Sequence, residues 1–181
     1  MPVITKDKIE VLFANKNGKI KVYKDPNSYN DVTKYIFGLN TTKEKTRYIG
    51  GYGINLTTIN SYPDMTSTDI IHILRYVHYK CRKLDIKNDR KLYHIIIGFK
   101  CDDFDANLAK IAGDNISFQL FLKGWQNLYG VHEDTDSIHI HLMFNSVNIK
   151  NFNKYSASKI DNDKFLENIQ TIAYDTILNN S

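Results

Sequence analysis

Hydrophobic and polar residues alternate in two short segments near the start of the chain. Residues 10–14 read Glu-Val-Leu-Phe-Ala and residues 19–23 read Lys-Ile-Lys-Val-Tyr, with Asn17-Gly18 between them. An Asn-Gly pair supplies the two positive-φ positions of a tight turn that joins antiparallel strands. The pattern therefore predicts a β-hairpin over residues 10–23.

Apolar residues at helical spacing predict two helices in the first half of the chain. A turn-and-cap sequence at 25–28 precedes a short helix that ends near Phe37 and carries Val32, Tyr35 and Ile36 on one side. A second capping sequence, Thr-Ser-Thr-Asp, precedes a longer helix with apolar residues at spacings of three and four. Basic residues at 75–83 give that longer helix a positive end.

The second half of the chain contains further strands and helices. Residues 92–99 are β-branched and aromatic enough for a central strand, and a strand is predicted to begin at 129–132. Helices are predicted from about 105 to 123, with a break near Gly113, and from about 163 to 178. Helices segregated from mostly antiparallel strands indicate an α+β fold.

The segment 138–147 alternates strictly, so that its side chains divide between two faces of a strand. One face carries the apolar residues Ile138, Ile140 and Leu142, and the other carries His139, His141 and Met143. His139 and His141 thus project side by side, at a separation suited to one metal ion. This pair is the strongest chemical signal in the sequence.

A third histidine, His132, lies seven residues before the pair, across a polar stretch that predicts a hairpin loop. Such a loop would bring a third imidazole alongside the pair, and Asp134 or Asp136 could accept the outer N–H of a ligand histidine. The alternative is that the pair is simply two surface imidazoles, and His132 favours the metal site over it. A histidine-triad nucleotide hydrolase is set aside because residue 143 is methionine.

Bulk composition sets the broad class of the protein. The length of 181 residues is enough for a single domain spanning 1–181, and no apolar stretch is long enough to cross a bilayer. The start of the chain has no signal-peptide pattern, and Cys81 and Cys101 form no CxxC motif, so we expect a reducing cytoplasm. The net charge of +4 is compatible with a polyanionic partner but does not by itself predict one.

Three motifs in order resemble those of conjugative and mobilisation relaxases, of the MobP-type branch that includes the TraI and VirD2-like enzymes. The run His-Glu-Asp-Thr-Asp-Ser-Ile-His-Ile-His-Leu-Met-Phe-Asn-Ser-Val at 132–147 resembles the histidine motif of that branch. Val-Thr-Lys-Tyr-Ile at 32–36, followed by Glu-Lys-Thr at 44–46, is similar to its first motif. Tyr93-His94, followed by Phe99, is similar to its second motif, in which Gly98 replaces a serine.

The resemblance implies the HUH endonuclease fold, with a central antiparallel five-stranded sheet flanked by helices, and a divalent ion, magnesium or manganese. It also implies that Tyr35 attacks single-stranded DNA at a transfer origin, leaving a 5′-phosphotyrosine link that a 3′-hydroxyl can later reseal. Accessory relaxosome proteins and a coupling protein would be its partners. Relaxases carry long C-terminal regions, so we expect this chain to be the N-terminal part of a longer protein.

Further roles follow for individual residues. Asp134, or less favourably Asp31, would accept the proton of Tyr35, whose phenol is otherwise protonated at neutral pH. Expected DNA contacts are the basic helix at 75–83, Trp125 for base stacking and Asn145 at the phosphate. A further set follows the first motif: Lys43, Lys45, Thr46 and Arg47.

Two rival hypotheses remain. A rolling-circle replication initiator or single-strand transposase would place its nucleophile after the histidine pair, at Tyr155 or Tyr174. A non-catalytic metal- or DNA-binding module would form no covalent adduct with DNA. Within the relaxase hypothesis, three other tyrosines are fallback nucleophiles: Tyr29, Tyr48 and Tyr52.

Overall fold

A computed structural model describes residues 10–13, 20–39, 45–54, 66–81, 89–100, 104–133 and 138–180, with backbone only at Lys45 and Lys100. Within these residues the strands are β1 (Glu10–Phe13), β2 (Lys21–Tyr23), β3 (Lys45–Tyr52), β4 (Leu92–Lys100), β5 (Asn127–Glu133) and β6 (Ile138–Asn145). The helices are α1 (Ser28–Ile36), α2 (Ser67–Lys80), α3 (Ala106–Leu122) and α4 (Lys159–Asn180). The predicted α+β class is confirmed.

The six strands form one open antiparallel sheet in which β1, β4, β6, β5 and β3 lie side by side. β2 also pairs with β4, so that β1 and β2 lie one after the other along the same edge of that strand. The sheet is therefore five positions wide, as expected, but one edge position is shared by two short strands. The predicted hairpin is wrong, because both segments satisfy their backbone groups against the long strand β4. Its turn at Asn17-Gly18 lies outside the described residues.

The two faces of β6 carry different types of side chain, as the alternation predicted. Ile140, Leu142 and Phe144 lie in the larger core, between the sheet and the helices α3 and α4.

The predicted break in α3 is wrong, because the helix continues through Gly113. A Cβ at this glycine would lie 2.6 Å from the Tyr129 ring, so its small size serves close packing of the helix on the sheet. In the described parts of the chain, no helix combines the length and apolarity needed to cross a membrane.

The opposite face of the sheet is covered by α1 and α2. Tyr29, Val32 and Ile36 form the buried stripe of α1, and they pack with α2 and with Leu92, Leu128 and Met143 of the sheet in a second core. The predicted cap of α2 is confirmed, since Thr66 and Asp69 form a reciprocal capping box. These contacts place α1 on the same face of the sheet as the histidines of β6.

Candidate active site

The C-terminal end of α1 approaches the sheet closely because Gly130 of β5 has no side chain. A Cβ at this position would lie 2.6 Å from the Ile36 carbonyl oxygen. The chain leaves the helix through Gly38, whose positive φ of 70° an L side chain rarely adopts. This packing brings the last turn of α1, which carries Tyr35, directly over the central strands.

Strand register brings three histidines together beneath that helix. His132 of β5 is the direct cross-strand partner of His139 on β6, and His141 follows two residues later on the same face. Their potential ligand nitrogens lie within 4.8 Å of one another. His132 and His141 are buried and His139 is partly exposed, so the group faces solvent on one side. The predicted approach of His132 to the pair is observed, although the connecting residues 134–137 lie outside the described part of the chain.

The imidazole of His132 is oriented from above by α1. Its Nε2 lies 3.0 Å from the Ile36 carbonyl oxygen and 3.2 Å from the Thr46 hydroxyl, which itself donates to the same carbonyl. A carbonyl only accepts hydrogen bonds, so Nε2 carries the proton and Nδ1 keeps the lone pair. Thr46, predicted as a DNA contact, therefore has its hydroxyl bonded within this network.

The imidazole of His141 is paired on one side only. Its Nδ1 lies 3.1 Å from Nε2 of His94 on the neighbouring strand β4. Its Nε2 is buried and has no hydrogen-bond partner. Buried polar atoms without a partner are rare and costly, and a nitrogen lone pair is the ligand that zinc, manganese and similar ions accept. The residues therefore fit a divalent cation held by His132, His139 and His141.

Burial also favours the neutral form of His94 and His141. It lowers the pKa of His94 to about 3, with a further contribution from the positive charge of Lys21. The pKa of His141 is likewise held below its usual range, first by burial and then by the neighbouring histidines. Only a neutral imidazole can donate a lone pair to a metal, so the lowered pKa of His141 favours the form that can bind a cation.

The ring of Tyr35 lies against this cluster. Its centre is 4.8 Å from that of His141, in an edge-on arrangement, and 5.6 Å from that of His132. The ring is also 6.4 Å from His94. Tyr35 is partly exposed, whereas its helix neighbours Val32 and Ile36 are buried. The geometry thus combines an accessible phenol with a potential metal site on one face of the sheet.

An open cleft of about 440 Å³ lies beside Tyr35, between α1 and the edge of the sheet. Its volume is sufficient for a nucleotide-sized group and its lining mixes apolar, aromatic and charged residues: Lys21, Tyr23, Asp31, Val32, Tyr35, His94 and Ile96. Asp31, the second candidate for the base, therefore borders the same space as the phenol.

Lys21 and Tyr23 are site residues that sequence reasoning missed. They alternate on β2, so both project to the histidine face, and the Lys21 ammonium lies 4.6 Å from the centre of the Tyr23 ring. Their alternation is visible in the sequence, but the predicted hairpin assigned the segment to a different pairing. Only the pairing of β2 with β4 places these two side chains beside His94.

The other tyrosines considered as nucleophiles lie elsewhere. The hydroxyl of Tyr29 is buried against Lys91 and Asn145, and burial raises its pKa far above the usual value. Tyr48 bonds to Asn107 of α3, and Tyr52 stacks on Phe121 and makes a tilted contact with Phe118 of that helix. Tyr155 and Tyr174 pack into the larger core on the opposite face of the sheet. The predicted stacking residue Trp125 also belongs to that core.

The remaining predicted residues have varied surroundings. Lys43, Asp134 and Asp136 lie outside the described residues, as does the side chain of Lys45. Arg47 is exposed at a bulge of β3. Asn145 is 1% exposed, and its amide bonds Leu74, Gln126, Tyr29 and His78, so this packing does not favour a phosphate contact. Gly98 lies opposite His139, and a Cβ at this position would make an ordinary van der Waals contact, 3.9 Å from the Leu12 carbonyl oxygen.

Comparison with known proteins gives one match. Residues 35–175, from the tyrosine of α1 into α4, match the family described as relaxase, MobA/VirD2-like, nuclease domain. The match includes all three histidines of the cluster. No curated protein and no solved structure matches the chain.

Proposed function

The chain belongs to the relaxase family of MobA/VirD2-like nuclease domains, within the HUH superfamily, and on that basis we propose that it nicks and rejoins single-stranded DNA at a transfer origin. The reaction is a transesterification in which Tyr35 forms a covalent 5′-phosphotyrosine link. The observation that carries this proposal is the contact of the Tyr35 ring with His132 and His141 at an open cleft.

The chemical step requires a deprotonated phenol. The oxygen of Tyr35 forms a bond to the scissile phosphorus, the bond from phosphorus to the 3′ oxygen breaks, and that oxygen takes up a proton to become a 3′-hydroxyl. Asp31 borders the same cleft one helical turn before Tyr35, which supports it as acceptor of the phenol proton. Asp134 stays the other candidate. Since the phosphodiester is exchanged rather than hydrolysed, attack by a 3′-hydroxyl reverses the reaction and reseals the strand.

His132, His139 and His141 would hold the divalent cation, with magnesium or manganese as the proposed ion. When bound, it would stabilise the negative charge that develops on the non-bridging phosphate oxygens. All three proposed ligands are imidazoles, so these ligands add no negative charge of their own to the cation. The carbonyl of Ile36 fixes the orientation of His132, and the same helix end carries the nucleophile.

DNA binding would use the cleft and the outer surface of α2. Tyr23 offers a ring for base stacking and Lys21 a charge for phosphate. On α2, Tyr76 and Tyr79 are 55% and 65% exposed and lie among basic residues that include Lys80. Arg47 adds an exposed charge on the edge strand β3. Aromatic and basic side chains together suit a single strand, whose bases are free to stack.

The test is to trap the covalent adduct. The protein is incubated with manganese and a pool of single-stranded oligonucleotides that have randomised centres and a label at the 3′ end. Denaturing electrophoresis should show label attached to the wild-type protein, because the tyrosine retains the 3′ fragment through its 5′ phosphate. Tyr35→Phe should give no adduct while binding of the pool is nearly unchanged.

Tyr174→Phe is the matched control, since this tyrosine lies on the opposite face of the sheet. It should leave adduct formation intact. An adduct that survives Tyr35→Phe but is lost in Tyr174→Phe would support the replication-initiator alternative. Absence of any adduct from a wild-type protein that binds both metal and DNA would indicate a non-catalytic module.

A further inference from the structure

His94 contacts the candidate metal site without belonging to it. It lies on β4, diagonally across from His141 of β6, and the two rings stack at 27° with their centres 5.2 Å apart. The distance from Nε2 of His94 to Nδ1 of His141 is 3.1 Å. His94 is 5% exposed and His141 is 1% exposed, so water does not compete freely for this contact.

A neutral imidazole has one N–H donor and one nitrogen lone pair. The surroundings of the two ring nitrogens of His141 indicate which nitrogen carries the proton. Its Nε2 is the buried atom without a partner, and one ring nitrogen of His141 lies within 4.8 Å of a ring nitrogen of both His132 and His139. If Nε2 offers a lone pair to a cation, then Nδ1 must carry the proton. The hydrogen bond between the two histidines must then run from Nδ1 of His141 to Nε2 of His94.

We propose that His94 is a positioning residue that fixes His141 in the Nδ1–H tautomer and so directs the Nε2 lone pair into the metal site. The proposal rests on the metal binding of the proposed function. His132 is oriented in the same way, since its hydrogen bond to the Ile36 carbonyl fixes the Nε2–H tautomer of that ring. The two ligands are therefore oriented from different elements, His132 by α1 and His141 by β4.

The choice of acceptor has an electrostatic consequence. Histidine ligands often donate their outer N–H to a carboxylate, which places a negative charge close to the metal. Neither the imidazole of His94 nor the carbonyl of Ile36 carries a negative charge, unlike a carboxylate. They orient the ligands without offsetting the positive charge of the cation. These two acceptors therefore leave the charge of the cation to the phosphate, which is the group the proposed reaction must stabilise.

The direct test is the tautomer of His141 in the metal-free protein. Nitrogen-15 NMR of labelled histidines distinguishes a protonated from an unprotonated ring nitrogen. We expect the proton on Nδ1 of His141 and the lone pair on Nε2. A proton on Nε2 of His141 in the wild-type protein would overturn the proposal, and this readout does not depend on metal or on activity.

The second test compares two replacements of similar size. His94→Gln keeps a hydrogen-bond acceptor, whereas His94→Leu fills the space without one. Titration calorimetry with manganese should show an affinity loss of about 10- to 100-fold for the leucine variant, as is typical when a partner of a ligand histidine is lost. The glutamine variant should keep most of the affinity. Equal affinities of the two variants would contradict the role of the acceptor.

His78→Leu is the matched control, because His78 is also a buried histidine but bonds Asn145 rather than a candidate ligand. It should lower thermal stability without changing manganese affinity. An affinity loss in this control equal to that of His94→Leu would mean that the effect is general destabilisation. If the wild-type protein binds no manganese while its tautomer is as expected, the metal of the proposed function fails and the role of His94 in orienting His141 stands.

Discussion

Replacing Gly130 with alanine tests the packing that holds α1 over the histidines. The added Cβ would lie 2.6 Å from the Ile36 carbonyl oxygen and 3.0 Å from the Ile36 side chain. Real Cβ contacts are essentially never shorter than 3.0 Å and ordinary contact begins at 3.4 Å, so the end of α1 or strand β5 must move by at least 0.4 Å, and by 0.8 Å to restore ordinary contact. Neither can yield by rotating a side chain, because the closest atom belongs to the backbone.

The displacement affects both stability and chemistry. Overpacking of a tight interior typically costs about 1–3 kcal/mol, which in a chain of this size lowers Tm by about 2–4 °C per kcal/mol. Ile36 is adjacent to Tyr35 and its carbonyl orients His132, so the same movement shifts nucleophile and ligand together. A misplacement of about 1 Å can cost about 100-fold in rate. We therefore expect Gly130→Ala to reduce adduct formation by about that factor.

Gly98→Ala is the matched control, since this glycine lies on the same face of the sheet. Its nearest foreign atom would be 3.9 Å from the added Cβ. A compatible glycine-to-alanine change stabilises by about 0.4–1 kcal/mol, because it restricts the unfolded chain. The measurements are thermal unfolding and single-turnover adduct formation at saturating DNA. If the two variants lost stability and rate equally, close packing of α1 on Gly130 would not be what positions Tyr35.

Two further predictions concern pH and salt. Burial lowers the pKa of His78 to about 4, below the value of about 6.5 in the unfolded chain, so stability present above pH 6.5 should be lost as pH falls towards 4. The free energy of unfolding should fall by about 3 kcal/mol over this range because of His78. Urea denaturation should show a shallower dependence of that free energy on pH in His78→Gln than in the wild-type protein. Parallel pH curves for the two proteins would contradict the prediction. Arg47→Ala should reduce the slope of log Kd against log salt by about 0.7 if Arg47 contacts one phosphate of single-stranded DNA. Lys164→Ala, on α4, should leave that slope unchanged.

Much of the site was predictable because its signals are local. The alternation of 138–147 is a property of a strand, so it correctly separated the histidines from the apolar residues of the larger core. The capping sequence at 66–69 likewise determined where α2 begins. The approach of His132 to His139 required only that the polar stretch between them turn back on itself.

Other features depended on pairings between distant segments. Nothing near residues 10–23 indicates that both segments would bond to β4, and the Asn-Gly pair favoured a local hairpin instead. Gly113 is a helix breaker in isolation, but the Tyr129 ring occupies the space it leaves. Tertiary contacts overrode local preference in both places, because each satisfied more backbone or buried more surface than the local alternative.

The sequence by itself indicated which histidines are potential metal ligands, since residue type and spacing fix the chemistry that a side chain can perform, and the resemblance of its motifs to those of relaxases nominated Tyr35 as the nucleophile. Only the tertiary structure decided which ring nitrogen of His132 and of His141 meets a hydrogen-bond partner. That choice depends on the Ile36 carbonyl, 96 residues from His132, and on His94, 47 residues from His141. A hydrogen bond acts over about 3 Å, so its partner is known only once the chain has folded.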